Sequence, residues 1–270
     1  MRDLGYAEGR DYVIEQRFAE NDLPRLAPLA AELVAAKVDA IVTGGNATVR
    51  AARGATRDIP ILTTVSSDVV AAGFAASLSR PGGNVTGFSS FTNELYPKRM
   101  ELLRHTVPTM RRMGLLYDAQ SEKGQRALEP FARKLELEAI PVLVSSSDVE
   151  ASFKKLQGAQ AQGLIVFQSG TTIALKESIT RHAAAYRLPA MYPLSVFTEA
   201  GGLLSYSEEV LDVYRRLAVY VDKILKGARP GDLPVEQPTK FDLVVNLRTA
   251  RALGITIPQS VLLQASRVIE

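Results

Sequence analysis

The fold class can be read from residues 40–48, whose sequence is AIVTGGNAT. Ala40 to Thr43 form a short apolar run typical of a buried strand, Gly44-Gly45 form a turn, and Asn46 is a residue type that caps helices. A strand that leads through a short turn into a helix is the building unit of parallel sheets, so this stretch predicts an α/β fold.

The same alternation continues on both sides of this stretch. Runs rich in β-branched residues predict strands at Tyr12–Phe18, Ala40–Thr43, Ile59–Val65, Val85–Phe88, Met113–Tyr117, Ile140–Val144, Leu164–Phe167, Ala190–Tyr192, Leu203–Tyr206 and Phe241–Val245. Stretches of helical periodicity predict helices at Asp22–Val34, from Asn46 onward, and at Asp68–Ser77, Glu94–His105, Glu122–Glu138, Asp148–Gln157, Thr172–Tyr186, Glu209–Leu225 and Arg248–Leu253. Such spacing indicates parallel sheets with helices on both faces.

Length and composition favour two lobes and exclude several classes of protein. The chain has 270 residues, and domains commonly have roughly 100–200. Its 32 basic and 29 acidic residues are interleaved, so we expect no nucleic-acid partner. The absence of cysteine excludes disulfides, thiolate catalysis and cysteine-ligated zinc. No apolar run approaches the roughly 18 residues of a membrane-spanning helix.

The sequence signatures of enzymes are also missing. The two histidines, His105 and His182, do not have the spacing of metal ligands. The dinucleotide-binding glycine motif, the P-loop and the Gly-x-Ser-x-Gly motif are absent. We therefore predict a protein that is not an enzyme, with no catalytic residue, metal or cofactor.

Candidate ligand contacts follow from the predicted strands. In open parallel sheets, ligands bind outside the carboxyl ends of the strands. The residues that we predict to bind a ligand at these ends are Gly45, Asn46, Ala47, Thr48, Ser67, Asp68, Tyr117, Gln168, Ser169, Gly170, Thr171, Tyr192, Tyr206 and Glu208.

Several of these residues have a second interpretation that involves no ligand. The helix start after Gly45 and the hydroxyl of Thr48 suit a carboxylate, whereas Asn46 is equally suited to cap the helix. Asp68 either caps a helix or accepts the amine of a ligand. The tyrosines either stack on a flat ligand or pack in the core.

Stretches with a distinctive sequence occur at Leu4–Gly9, Arg80–Gly87, Ile224–Gly227, Leu233–Glu236, Val244–Leu247 and Leu253–Pro258. In this order they resemble the substrate-binding components of ABC transporters, in the group that includes tryptophan- and tyrosine-type binding proteins. The resemblance extends over essentially the whole chain.

The resemblance implies a type I periplasmic-binding fold, with two similar doubly wound lobes joined by a three-segment hinge. Lobe one would comprise residues 1–88 and 207–238, and lobe two residues 89–206 and 239–270. The crossings would lie near Phe88–Phe91, Tyr206–Ser207 and Pro238–Phe241.

The resemblance also implies a function. The protein would trap an amino acid or small carboxylate between the lobes by hinge closure, with an aromatic amino acid as the default. It would deliver this ligand to the permease of a bacterial ABC importer, which would be its sole contact with the membrane. Its location would be periplasmic or otherwise outside the cytoplasm.

The start of the chain departs from the family pattern. No apolar segment of a signal peptide follows Met1, and lobe one is expected to lack its first strand, beside Tyr12–Phe18 and Ala40–Thr43. Two other classes share the lobed fold: the effector-sensing domain of a transcription regulator and an enzyme. A helix-turn-helix encoded upstream would favour the regulator, and a cleft residue with a strongly shifted pKa would favour the enzyme.

Overall fold

The structure is a computed structural model. It describes residues 1–270 except 21, 91, 120, 146 and 147, and for residues 65–67, 90, 92–94 and 123 it describes the backbone alone. The chain forms two compact units. Unit 1 comprises Met1–Phe91 and Glu208–Lys240, and unit 2 comprises Thr92–Ser207 and Phe241–Glu270. The lobe boundaries and crossings inferred from the sequence stay a prediction, and Phe91 lies outside the described residues.

The described residues contain both strands and helices in alternation. The strands are β1 (Ile41–Thr43), β2 (Ile61–Ser67), β3 (Val85–Ser90), β4 (Arg112–Tyr117), β5 (Glu138–Leu143), β6 (Gly163–Val166), β7 (Ala190–Tyr192), β8 (Leu204–Glu208), β9 (Phe241–Asn246) and β10 (Arg267–Ile269). The α-helices are α1 (Leu26–Ala35), α2 (Asn46–Ala55), α3 (Thr92–Thr106), α4 (Glu122–Arg126), α5 (Glu129–Lys134), α6 (Val149–Gly158), α7 (Gly170–Ala174), α8 (Lys176–Ala185), α9 (Ser195–Glu199), α10 (Val210–Leu225), α11 (Leu247–Leu253) and α12 (Gln259–Leu262).

The described part of unit 1 has a three-stranded parallel sheet in the order β1-β2-β3. Val49 and Ala52 of α2 pack with Ile61 in one hydrophobic core. Successive residues of a strand point to opposite faces, and Leu62 accordingly packs in a second core with Leu217 and other residues of α10. Unit 1 therefore has helices on both faces of its sheet.

A distant segment completes unit 1. Glu236 exchanges backbone hydrogen bonds with β3: its N–H donates to Gly87 O over 2.9 Å, and its carbonyl accepts from Ser89 N over 2.9 Å. The hydroxyl of Thr86 donates to Leu233 O over 2.8 Å. Residues far apart in the sequence are thus needed for one sheet.

Unit 2 contains a seven-stranded sheet of described residues in the order β10-β9-β8-β7-β6-β4-β5. The pairs β4–β5, β4–β6, β6–β7, β7–β8 and β9–β10 are parallel. From β4 the chain goes to β5 on one side and then crosses to β6 on the other. The order of the strands reverses there, and such a switch point is where doubly wound sheets bind ligands.

Both faces of the unit 2 sheet are buried. Leu115 and Ile165 belong to a core that includes Leu103 of α3, whereas Leu116 and Val166 belong to the opposite core with α6 and α8. Buried apolar runs of this kind are what parallel strands require, because helices cover both faces. The predicted α/β fold with parallel sheets is confirmed.

One predicted strand and one predicted helix are wrong, and the predicted helix Glu122–Glu138 is instead the two short helices α4 and α5, with Glu138 already in β5. The described segment Tyr12–Phe18 forms no strand, and Val13 is 74% exposed and Phe18 68% exposed. Its apolar pattern alone does not make a strand, since a strand also needs a neighbour that pairs with it and a face to bury. The predicted helix Asp68–Ser77 is a series of turns in which Gly73 has φ +73°.

Candidate functional site

The start of α2 lies at the carboxyl end of β1, as the sequence predicts. Gly45 precedes the helix with φ +88°, and the described structure shows no side-chain hydrogen bond that caps it. The interpretation of Asn46 as the cap is wrong, because Asn46 is already the first residue of the helix. Glycine takes the cap position because positive φ has almost no steric penalty for it.

The first turn of α2 suits a negatively charged group. Ala47 is exposed there, and the positive end of the helix dipole favours anions. The hydroxyl of Thr48 lies within 2.6 Å of Gly44 O and 2.8 Å of Gly45 O, so its proton bonds to the loop. Backbone N–H groups, rather than the Thr48 hydroxyl, are therefore the donors that this turn offers.

Asp68 follows β2 and shapes the next turn. Its carboxylate accepts hydrogen bonds from Val70 N over 3.1 Å and from Ala71 N over 3.0 Å, while the residue stays exposed. Its predicted second role, as acceptor of a ligand amine, stays a prediction. The backbone of Ser67 pairs with Ser90, and its side chain lies outside the described part of the chain.

In unit 2, the switch point brings two predicted segments together. Leu116 of β4 pairs with Val166 of β6, so Tyr117 and Gln168 leave neighbouring strands about 4.8 Å apart at the same edge. Tyr117 is half-buried. The next residue, Asp118, is 6% exposed and holds this loop by accepting from Ser121 N and Ser121 Oγ over 3.1 and 2.8 Å.

The segment after β6 is a well-formed helix start. Ser169 Oγ accepts from Thr172 N over 3.1 Å, and Thr172 Oγ1 accepts from Ser169 N over 3.0 Å, which makes a capping box. Gly170 is exposed and Thr171 is half-buried. Ser169 therefore has a clear structural role, and the ligand roles of Gln168, Ser169, Gly170 and Thr171 stay predictions.

Tyr192 does not lie where a ligand could contact its ring. It is 1% exposed, stacks on Phe197 with ring centroids 5.1 Å apart, and leaves no room for a side chain at Gly202. Burial raises the pKa of its phenol. Its prediction as a stacking contact does not fit this environment, and we leave it out of the candidate site.

Tyr206 and Glu208 lie on β8. Tyr206 is half-buried, stacks on Phe241 at 5.8 Å, and has a phenol whose pKa is raised by burial. Strand β8 is three strand spacings from β4, roughly 14 Å, so Tyr206 and Tyr117 do not flank the same ring. Glu208 is 6% exposed and is the first residue of its segment in unit 1.

The structure therefore divides the predicted site residues between the two units. Unit 1 holds Gly45, Asn46, Ala47, Thr48, Ser67, Asp68 and Glu208. Unit 2 holds Tyr117, Gln168, Ser169, Gly170, Thr171, Tyr192 and Tyr206.

Two residues at this edge of unit 2 lie on a helix, so the rule that ligands bind at the ends of strands does not select them. Tyr96 and Arg99 are one turn apart on α3 and are 2% and 1% exposed. Tyr96 Oη accepts from Gln168 N over 2.7 Å. The sequence signal was an arginine within the helical series of Tyr96, Met100 and Leu103, which otherwise reads as the apolar face of α3.

A cavity of about 560 Å³ lies at the opposite edge of the unit 2 sheet, near the amino end of β4. Its polar groups largely bond to one another. Gln162 Oε1 accepts from Arg112 N over 3.1 Å, and the Arg112 guanidinium bonds to Glu138 and Gln160 over 2.9 Å each. Because ligands of such sheets bind at the carboxyl ends, we do not assign this cavity as the site.

No helix in the described residues is both long and apolar enough to span a membrane. No cluster of three or more histidine, aspartate or glutamate side chains in the same residues is arranged to hold a metal ion.

Comparisons with known proteins give consistent results. The family of ABC transporter substrate binding proteins matches residues 1–269. A tyrosine-binding protein of Clostridioides difficile (strain R20291) is 26% identical over 259 residues, which cover 94% of this chain and 74% of that protein.

Solved structures show the same likeness. The structure of an ABC domain in complex with L-Trp from Streptococcus pneumonia is 26% identical, with a TM-score of 0.89 over 99% of this chain and 91% of that chain. The ligand-free, open structure of a substrate binding protein with adhesive properties from Clostridium difficile is 27% identical, with a TM-score of 0.73 over 99% and 90%. The fold is therefore of the type I periplasmic-binding class.

Proposed function

Because this chain belongs to the family of ABC transporter substrate binding proteins, we propose that it binds an amino acid for a bacterial ABC importer. The observation that carries the proposal is the start of α2, where glycine occupies the cap position and Ala47 in the first turn is exposed. A helix start of this kind suits the carboxylate that all amino acids share. The family match favours this role over that of a regulator's effector domain.

The proposed ligand is an aromatic amino acid. Two relatives support this choice by what they bind: one is a tyrosine-binding protein, and the other was solved with L-Trp. In unit 2, Tyr117 at the end of β4 and Tyr206 within β8 are half-buried, and each ring offers apolar surface with a polar tip, so that one of them packs on the ligand. Aromatic rings of this kind pack well on a flat ligand.

The proposal also includes the mechanism and the partner. The ligand is trapped by hinge closure, no bond is made or broken, and the loaded protein docks on the permease of the importer outside the cytoplasm. The open, ligand-free structure of a relative that is 27% identical supports an opening motion. Differential affinity for the closed state would drive closure.

Ligand binding should raise the thermal stability. At a free ligand concentration of 100 times Kd, stability increases by about 2.7 kcal/mol, which corresponds to a rise in Tm of roughly 5–10 °C. We expect this rise with L-tyrosine or L-tryptophan in differential scanning fluorimetry. Tyramine and tryptamine, which lack the carboxylate, are matched controls and should give no rise.

Two outcomes would contradict the proposal. A panel of all amino acids and small carboxylates that leaves Tm unchanged would exclude amino-acid binding. Chemical conversion of the bound ligand, detected by mass spectrometry, would show that the protein is an enzyme. Since the chain contains no tryptophan, the fluorescence of added L-tryptophan reports its binding directly.

Asp68→Asn separates the two roles of Asp68. Asparagine keeps a side-chain oxygen for Val70 N and Ala71 N, so the free energy of unfolding should change by less than about 0.5 kcal/mol. If the carboxylate also holds the ligand's amine, affinity measured by calorimetry should fall about tenfold, because a charge-assisted bond is lost. Unchanged affinity would mean that Asp68 stabilises the turn and does not contact the ligand.

A further inference from the structure

Arg99 is a charged residue in an almost fully buried position. It lies on the inner face of α3 and is 1% exposed. Burying a guanidinium costs free energy unless its hydrogen bonds are made. Breaking one of these bonds would leave a buried charge without a partner, so Arg99 holds its acceptors in place.

The contacts of Arg99 join β8 to the end of β7. Its Nε donates to the carbonyl oxygen of Tyr206, in β8, over 2.8 Å. Its Nη2 donates to the carbonyl oxygen of Pro193, directly after β7, over 3.2 Å. The planar fork of arginine reaches both oxygens at once, which the single ammonium of lysine does not do.

Tyr96 connects Arg99 to the segment that follows a third strand, β6. The Arg99 guanidinium lies 4.7 Å from the centroid of the Tyr96 ring, and that ring stacks on Phe167 at 4.2 Å. Tyr96 Oη accepts from Gln168 N, two residues after the last residue of β6. Burial raises the pKa of the Tyr96 phenol, so it stays neutral near pH 7.

We propose that Arg99 and Tyr96 are positioning residues that set ligand affinity without touching the ligand. Together they hold the segments after β6 and β7 against the middle of β8, and so fix the predicted ligand contacts Gln168 and Tyr206 in one arrangement. When the ligand-free site already has its binding arrangement, ordering its side chains and loops on binding costs less free energy. This inference rests on the proposed amino-acid binding.

Two substitutions and their combination test the coupling. Arg99→Lys keeps the charge and loses the fork, and Tyr96→Phe keeps the ring and loses the hydroxyl that accepts from Gln168 N. Each should weaken L-tryptophan binding about tenfold, as measured by the ligand's fluorescence. Because both residues act in one network, their effects should not multiply. The double variant should therefore bind L-tryptophan about as weakly as the single variant with the lower affinity, and not a hundredfold more weakly than wild type.

Arg112→Lys is the matched control. Arg112 lies in the same unit and also donates to a main-chain carbonyl, that of Ala159, but at the amino edge of the sheet. Its substitution should change affinity less than twofold. Wild-type affinity in Arg99→Lys or Tyr96→Phe, an equal loss in Arg112→Lys, or a fully multiplicative double variant would each overturn the proposal.

Hydrogen exchange in the ligand-free protein separates this proposal from the proposed function. If the wild-type protein binds neither L-tryptophan nor L-tyrosine, the proposed function fails. The positioning role is then judged by the backbone amide of Gln168, which should exchange at least about tenfold faster in Arg99→Lys and Tyr96→Phe than in wild type or Arg112→Lys. Unchanged exchange would show that Arg99 and Tyr96 do not hold this segment.

Discussion

Replacement of Ala47 by aspartate is expected to lower the affinity for an amino acid about a hundredfold while leaving the folded protein as stable as before, or slightly more so. Ala47 is exposed in the first turn of α2. An acidic side chain there stabilises a helix by about 0.3–1 kcal/mol. The same charge repels a bound carboxylate. At about 4 Å and an effective dielectric constant of about 20, that repulsion is about 4 kcal/mol, more than the roughly 2.7 kcal/mol that a hundredfold change requires.

The opposite signs of the two effects make this a sharp test. Affinity is measured by calorimetry, and stability by denaturant unfolding without ligand. Ala47→Asn, which adds almost the same volume without charge, is the control and should lose less than about fivefold in affinity. Equal affinity of the aspartate variant and the wild type would mean that the ligand's carboxylate binds elsewhere.

Gly87→Ala should destabilise unit 1 by about 3–5 kcal/mol. Gly87 lies in β3 with φ +117°, and a Cβ atom there would be 2.4 Å from Thr63 O and 2.8 Å from Thr63 N. Both atoms belong to the backbone of the neighbouring strand, so they cannot move aside as a flexible side chain would. Strained backbone and overpacking each cost about 1–3 kcal/mol.

Gly54→Ala is the matched control in the same unit. A Cβ at Gly54 would meet no described atom within 4 Å, and alanine is the better helix former by about 0.5–1 kcal/mol. Denaturant midpoints should therefore shift in opposite directions for the two variants. A Gly87→Ala protein as stable as wild type would mean that β2 and β3 separate without cost at this point.

The sequence predicts well the elements that are buried on both faces. The apolar runs that become β4 and β6 are fully enclosed by helices, so their composition alone identifies them. Exposed or short elements are different: Tyr12–Phe18 has a strand-like pattern without a pairing partner, and β10 is short and mostly exposed. What a segment forms there depends on neighbours that lie far away in the chain.

The candidate site was predictable to a similar extent. The rule that ligands bind at strand ends identifies Tyr117 and Gln168, which the sheet order places side by side. It also selects Tyr192, whose ring proves to be buried, because a strand end says nothing about which way its side chains point. Arg99 and Tyr96 were missed, since their contacts are to main-chain atoms of β8 and of the segments after β6 and β7, which only the fold brings together.

The pairing of Glu236 with β3 has a consequence for how this chain is made. During translation, β3 leaves the ribosome long before the segment that holds Leu233 and Glu236 has been made, because some 150 residues separate Thr86 from Leu233. At a synthesis rate of about 5–20 residues per second, the early part of unit 1 lacks this partner of β3 for roughly 7–30 seconds. An unpaired edge of this kind is a template for misassembly, so this edge of β3 is exposed to wrong pairing until residue 236 emerges.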